Sequence, residues 1–440
     1  MDGQGFLILI VIVWFPILTV VVLLKLFQPR KFLAHEKYEM KENNILTNLP
    51  VDVLKLIAKR LSLNDYLALR AVCCSCRKTI SNIIENNHCF YLPEMPQVFL
   101  PFKDSRFFFS LSKKSVHHHH RTPPLRCTNI CVGSVEGWLI MRDDYGKGFE
   151  NFFFLNPVTD VRIMIPSKLS LVSNSSVQDD IIQYVIKMVA SSKPNCDRSS
   201  DCYLAGLFYD FCHIAIYKLF DKSWTIVESD KNSGTYFTDV EIIGTKLYVS
   251  DLSSHSLLIY CLKDFINGPP KAKVLAKFPD EIFTNYNFCY LSKDEAQREL
   301  YIILGFCNIK PDEIRHVIAN HFNMVPAFVE PPQFTKFKLF KLDTNKDPIG
   351  CQNVQLKDRV VFISNLKSMV MSRDELNFDN DLIRGNSIYF AFYFPCPTNP
   401  WSGLKLGMFD LTDSSIKYFP VETSKDGDVP YPIWFVPSLC

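Results

Sequence analysis

From about residue 98 to the C-terminus, the chain consists of short apolar or alternating runs, separated by Gly, Asn, Asp and Pro and gathered in groups of four. Alternation bounded by turn formers marks half-buried strands, and no long helical period interrupts it except near Pro311 to Asn320. One group reads 130–134, 137–142, a turn at 143–148, 151–155, the Asn156-Pro157 turn, then 161–165. A second runs through YVIKMVA, LAGLFYD, CHIAIYKL and SWTIVES. A third runs through FTDVEII, TKLYVSD, SLLIYCL and AKVLAKF, with Gly244 and Ser253-Ser254-His255 between strands. A fourth, less regular, extends from Asn287 through ELYIILGF to FKLFKLD, and a fifth holds RVVFIS, GNSIYFAFYF, LKLGMFDL and SIKYFPV. Four-stranded units recurring every ~45–60 residues bury their faces only against one another, which is the pattern of a β-propeller. Five or six blades are expected over 98–440. A large sandwich or two separate β-domains would leave the repeated grouping unexplained.

Composition narrows the classes of function. With 48% hydrophobic and 13% aromatic residues in 440, the chain can bury large cores, so disorder is excluded as the main state. Forty-eight Lys and Arg against 46 Asp and Glu leave a net charge of +2, too balanced for the phosphate neutralisation that nucleic-acid binding needs. Fifteen Cys, an odd number scattered from Cys73 to Cys440, read as reduced thiols rather than a disulfide framework.

Residues 6 to 24, FLILIVIVWFPILTVVVLL, carry no charge and at 1.5 Å per residue suffice to cross a hydrocarbon layer of about 30 Å. A transmembrane helix is expected over 6–27. Pro16 is tolerated in a bilayer. A secretory signal peptide fits less well, since no Lys or Arg precedes Phe6 and no small-x-small cleavage site follows. Lys25, Arg30, Lys31 and Lys37 follow the run, so the positive-inside rule places everything after it in the cytoplasm. The expected location is therefore a membrane, single-pass, and without the anchor the cytoplasm or nucleus. In that orientation the sequon Asn174-Ser175-Ser176 faces away from glycosylation. Residues 28–44 form a polar tether.

Residues 45–86 change pattern to helices. Asn48 stands just before Pro50, suited to a first helical turn, and Asp52 complements the positive helix end. Val53, Leu54, Ile57, Ala58 and Leu61 recur at helical spacing, opposite Lys55, Lys59 and Arg60. Ser62 to Asp65 resembles a capping box opening a second helix through Tyr66, Leu67 and Leu69. A third is expected from about Ala71 to Ile84, with Val72, Cys76, Ile80 and Ile83 inward. Three helices in so few residues bury little and call for a partner surface.

The run LTNLPVDVLKLIAKRLSLNDYLALRAVCCSCRKTISN resembles an F-box, with its Leu-Pro start, its I-x-x-R-L and its R-A-V-C stretch in order; Cys76 stands where that family usually has Trp. The resemblance implies docking of a Skp-type adaptor, and through it a cullin, by Leu49, Pro50, Val53, Leu54, Ile57, Leu61, Leu69, Val72 and Cys76. Farther on, GSVEGWLIMRDD, FFFLNPVTDVRIMIPS, FTDVEIIGTKLYVSD and PYPIWFVPS are similar to the propeller domain of unknown function that accompanies many plant F-boxes. Trp138, Trp224 and Trp434 read as packing between blades.

Catalytic equipment is thin. Cys73-x-x-Cys76 and Cys127-x-x-x-Cys131, with His117 to His120 between them, have metal or redox spacing, but the pairs lie far apart and the first sits within the third helix. Asp143-Asp144 and Asp179-Asp180 are ordinary turn chemistry. Phosphate-loop, nucleophile-elbow and zinc-protease motifs are absent from the sequence. The expectation is a mainly β protein with a small α module and no cofactor or metal. It acts as the non-catalytic substrate-recognition subunit of a Skp-cullin-F-box ubiquitin ligase, with an unknown protein substrate on the propeller. The alternatives are a membrane-anchored propeller hydrolase and a scaffold that delivers no substrate.

Overall fold

The computed structural model describes residues 50–58, 61, 63–85, 95–102, 105–111, 115–118, 129–144, 149–165, 169–170, 185–194, 202–208, 212–228, 236–267, 271–278, 288–294, 296–308, 332–343, 350–376, 383–394, 403–420 and 431–438. They divide into a helical unit before Met95 and a β unit from Met95 to Ser438.

The helical unit holds α1 (Val51–Ala58), α2 (Leu63–Val72) and α3 (Cys74–Glu85), with α1 and α2 each packed on α3. The β unit contains β1 (Gln97–Phe102), β2 (Ser105–Ser110) and β3 (Ser115–His118), then β4 (Asn129–Val135), β5 (Trp138–Asp144), β6 (Phe149–Leu155) and β7 (Arg162–Met164), with β8 (Leu169–Ser170) also on β6. A third antiparallel group is β9 (Val185–Ala190), β10 (Tyr203–Phe208), β11 (His213–Lys218) and β12 (Thr225–Glu228). A fourth is β13 (Phe237–Ile243), β14 (Lys246–Asp251), β15 (Ser256–Cys261) and β16 (Lys273–Lys277). The fifth is β17 (Phe288–Asp294), β18 (Glu299–Cys307), β19 (Phe334–Asp343) and β20 (Gly350–Asn353). The sixth is β21 (Arg359–Ser364), β22 (Ser368–Ser372), β23 (Ser387–Tyr393), β24 (Leu404–Asp410) and β25 (Ile416–Tyr418), joined to the fifth where β17 and β22 pair in parallel. The last strand, β26 (Ile433–Phe435), pairs antiparallel with β1 and so completes the first group.

Among the described residues, six apolar cores lie between successive groups. Phe99 and Phe108 of the first meet Leu139, Met141 and Phe153 of the second. Ile140 and Phe152 meet Val185 and Tyr217, with Trp138 and Trp224 in the same core. Ile214 and Ile216 meet Val240 and Val249. Leu257 and Ala276 meet Leu291 and Ile302. Phe334 and Phe337 meet Phe390 and Phe392, rings about each other in tilted and stacked pairs. Val360, Phe362 and Tyr389 of the sixth meet Val98, Phe109 and Trp434 of the first, so the series of cores returns to its start. This closure is the reason each sheet can be apolar on both faces: strands β9, β10 and β23 are buried at every position.

Trp434 fastens the closure. It is fully buried, its Nε1 donates to the Ile363 carbonyl at 2.8 Å, and its own carbonyl accepts from Ser134 Oγ at 2.9 Å, so one residue bonds to both neighbouring groups. The segment after it is held by the second group. Asn156 takes the amides of Val158 and Thr159 on its Oδ1 at 2.9 and 3.1 Å and donates from Nδ2 to the Ser438 carbonyl at 2.9 Å. Gly137, at φ +84°, passes so near that a Cβ there would lie 2.4 Å from Ser438 Cβ. The Gly-Trp and Asn-Pro motifs are thus parts of the closure.

Charge also crosses between inner strands. Lys187 on β9 pairs with Asp239 on β13, whose second oxygen accepts from the Leu291 amide of β17 at 2.7 Å. Burial pushes the Asp239 carboxyl up, against Lys187 and the amides of Leu291 and Val240. Glu241, also on β13, stands 3.9 Å from Lys293 and 3.8 Å from Lys367. All five of these side chains are buried.

The expected membrane-spanning helix requires correction. Residues 6–27 and the tether 28–44 lie outside the described residues, as does the segment near Pro311 to Asn320. Among the described residues no helix is long and apolar enough to cross a membrane. The longest described helix, α3, has 12 residues, roughly 18 Å at the helical rise against a hydrocarbon layer of about 30 Å. The fold as described is mainly β with a helical module, and the single-pass placement facing the cytoplasm is withdrawn with the helix that implied it.

Two outcomes follow from this packing. Trp434→Ala removes a fully buried indole and costs about 3–5 kcal/mol in the urea unfolding of the β unit, whereas Trp434→Phe, which forfeits chiefly the bond to Ile363, costs about 1 kcal/mol. Burial raises the Asp410 carboxyl, but the amide and hydroxyl of Thr412 and the Arg384 guanidinium, 2.7 Å away, outweigh it and hold it below its ordinary value. A depressed carboxylate stabilises above its unfolded pKa and loses that contribution as pH falls through the folded one. The stability gap between wild type and Asp410→Asn, measured by denaturant titration, therefore closes as pH falls below about 4.

Candidate docking site

The helical unit presents an apolar stripe. The Leu54 amide donates to the Pro50 carbonyl at 3.1 Å, which starts α1 at the proline, whose missing N–H costs nothing there. Pro50, Val53, Leu56 and Ile57 are three, six and seven residues apart along the chain and share one side of α1. Of these Pro50 is exposed, Val53 is 39% and Leu56 61% exposed, and Ile57 is half-buried. Val51, 50% exposed, lies farther round. The adjoining side carries Leu54 and Ala58, both fully buried. An eight-residue helix with large aliphatics in water has one face committed to its own unit and another unspent.

The residues expected to grip an adaptor divide accordingly. Pro50, Val53 and Ile57 lie on the accessible side, while Leu54, Leu61, Leu69 and Cys76 are buried and Val72 is half-buried; Leu49 lies outside the described residues. Leu56 and Val51 were not singled out from sequence. The available signal was Leu56 itself, an apolar residue out of phase with the buried period and next to Lys55. The expected third helix from about Ala71 is interrupted: α2 ends at Val72 and α3 begins at Cys74, with Cys73 between.

The other motifs resolve into packing. Cys131 is buried, its thiol donates to the Gly133 carbonyl at 3.6 Å, and burial pushes it up to about 12. Asp143 accepts from Asn129 Nδ2 at 3.0 Å across the β4–β5 pair. Cys127, His119, His120 and Asp179-Asp180 lie outside the described residues. Among the described residues no group of three or more His, Cys, Asp and Glu side chains could hold a metal ion.

The division between buried and exposed aliphatics has a measurable consequence. Leu54→Ala should destabilise the helical unit by about 2–5 kcal/mol and Leu56→Asp by no more than about 0.5 kcal/mol, read as amide hydrogen exchange of residues 51–85 in the full chain.

Residues 108–418 match the family model of the KIB1-4 beta-propeller, and residues 46–87 match that of the F-box domain. A curated Arabidopsis thaliana protein bearing an F-box name is 24% identical over 149 residues, which is 32% of this chain and 37% of that protein, so the chain spans well under half the length of that relative. Solved structures of similar outline include the nidogen/laminin complex, at TM-score 0.37 and 9% identity over 78% of this chain and 99% of that one. Another is the periplasmic gluconolactonase of Pseudomonas aeruginosa, at 0.34 and 8% over 77% and 99%. At such scores these two carry no argument about function. The propeller model covers well over half of the sequence, and with the helices before it, it identifies the chain as an F-box protein belonging to the KIB1-4 β-propeller family.

Proposed function

We propose that this chain is the substrate-recognition subunit of a Skp-cullin-F-box ubiquitin ligase. F-box domains in general bind Skp1-type adaptors and, through them, a cullin, and an F-box joined to a propeller is the arrangement of a substrate receptor. The observation that carries the reading is the accessible stripe Pro50, Val53, Leu56 and Ile57 on a helix of the F-box segment. A helix with three to four aliphatics on one side docks into an apolar groove and supplies the desolvated area on which such interfaces depend. Leu54, Leu61, Leu69 and Cys76, being buried, act by holding that stripe in shape.

The chain's part in ubiquitin transfer is proximity. A target held on the propeller and an adaptor held on the helices are joined through one polypeptide, which raises the concentration of target lysines near the charged conjugating enzyme. No bond is made or broken by this chain in that scheme. The target is a protein, recognised by the β unit.

The test is recovery of a Skp-type adaptor with the purified full chain. Val53→Asp combined with Leu56→Asp, two exposed positions that leave the helical core untouched, should lower recovery about tenfold or more, equivalent to at least 1.4 kcal/mol. Equal recovery from wild type and the double variant would overturn the assignment.

A further inference from the structure

Cys73 has a position that its spacing alone did not reveal. It ends α2 and precedes α3, its carbonyl accepts from the Arg77 amide at 3.0 Å, and its sulfur accepts from the Cys76 amide at 3.3 Å. Those are the two bonds of a helix N-cap, with sulfur in the place that a Ser or Asp oxygen usually fills. The positive end of the helix therefore faces the Cys73 sulfur. The Cys76 thiol, one turn on, is fully buried, and burial, with the neighbouring Cys73 adding to it, pushes it up to about 12.

Accessibility orders the two. Cys73 is half-buried, Cys74 exposed and Cys76 fully buried. A reagent from solution reaches Cys73, and the sulfur in place to resolve the product is Cys76. Cys74 is a poor competitor for Cys73, since adjacent Cα atoms stand about 3.8 Å apart, short of the roughly 4.4–6.8 Å that disulfides favour.

We propose that Cys73 and Cys76 form a reversible disulfide across the first turn of α3, making the F-box module a thiol-redox site. With glutathione disulfide as oxidant, Cys73 attacks one of its sulfurs as the thiolate and expels one glutathione, leaving a mixed disulfide. Cys76 then attacks the Cys73 sulfur, its thiol proton passing to the second departing glutathione. The pair loses two protons and two electrons, and one glutathione disulfide becomes two glutathiones.

The bridge is judged on its own chemistry; only its consequence for docking rests on the function proposed above. Bridging draws Cys76 Sγ to about 2.05 Å from Cys73 and out of its packing in α3, the helix on which α1, the carrier of the stripe, is packed. The bridged chain binds adaptor several-fold less well than the dithiol.

The experiment equilibrates the full chain in buffers of rising oxidised-to-reduced glutathione ratio, blocks free thiols with iodoacetamide and weighs the tryptic fragment 71–77. The expected product carries one block, on Cys74, and is two hydrogens lighter at the other two cysteines. It grows with the ratio, reverts with dithiothreitol, persists in Cys74→Ser and vanishes in Cys73→Ser and Cys76→Ser. Cys73→Ser retains an oxygen cap, so the helix is kept while the chemistry is lost. Three blocked cysteines at every ratio, or a bridge that includes Cys74, would overturn the proposal. Adaptor recovery from the same samples should fall on oxidation of wild type and not of Cys73→Ser; no fall in wild type sinks the regulatory consequence. Failure of the reduced wild type to recover any adaptor counts against the docking reading alone, because the mass of the fragment still decides the bridge.

Discussion

Pairing between β26 and β1 is the constraint on which the β unit depends. Without it the first group has an open edge, the core between the sixth and first groups loses Trp434, and apolar strand faces on both sides of the opening meet water. The bonds converging on this point come from residues remote in sequence: Ser134 and Trp434 are 300 positions apart, Asn156 and Ser438 are 282. Closing so long a loop costs entropy that no single bond offsets. The buried indole and its two flanking cores supply the compensation together.

Inside the ring, the inner strands are tied by ions as well as by packing. Lys187 with Asp239, and Glu241 between Lys293 and Lys367, run from the third group to the sixth. Burial of such pairs gives back little net stability, because desolvation consumes most of the attraction. What the arrangement does supply is register, since a one-residue slip of β13 would turn Asp239 and Glu241 away from their lysines and toward an apolar core.

The second to sixth groups were legible because each is local: strand, turn and strand lie within one window, and turn residues such as Gly244 and Ser253 to His255 mark the gaps. The first group was not, because its fourth strand comes from the far end of the β unit and no window contains both partners. Gly137 and Asn156 were visible as motifs, but their common purpose, clamping residues 436–438, exists only in three dimensions. On the helices, the apolar period brought together Leu54 and Ala58, which are buried, and Val53 and Ile57, which lie on the accessible side of the same helix. Leu56, which breaks that period, is more exposed than Val51 or Val53. The break at Cys73 was hidden for a different reason: a sulfur cap carries no propensity signal, and the flanking residues read as one continuous helix.

Vectorial synthesis meets that far-travelled last strand in an awkward order. The ribosome releases the F-box helices early and β26 only after every other described strand. A nascent or prematurely terminated polypeptide that lacks Ile433 to Phe435 keeps the helical module yet leaves β1 without its β26 partner. Such a product is not a simple loss: the exposed aliphatics of its helices are complete while the apolar faces beside β1 stay open to water.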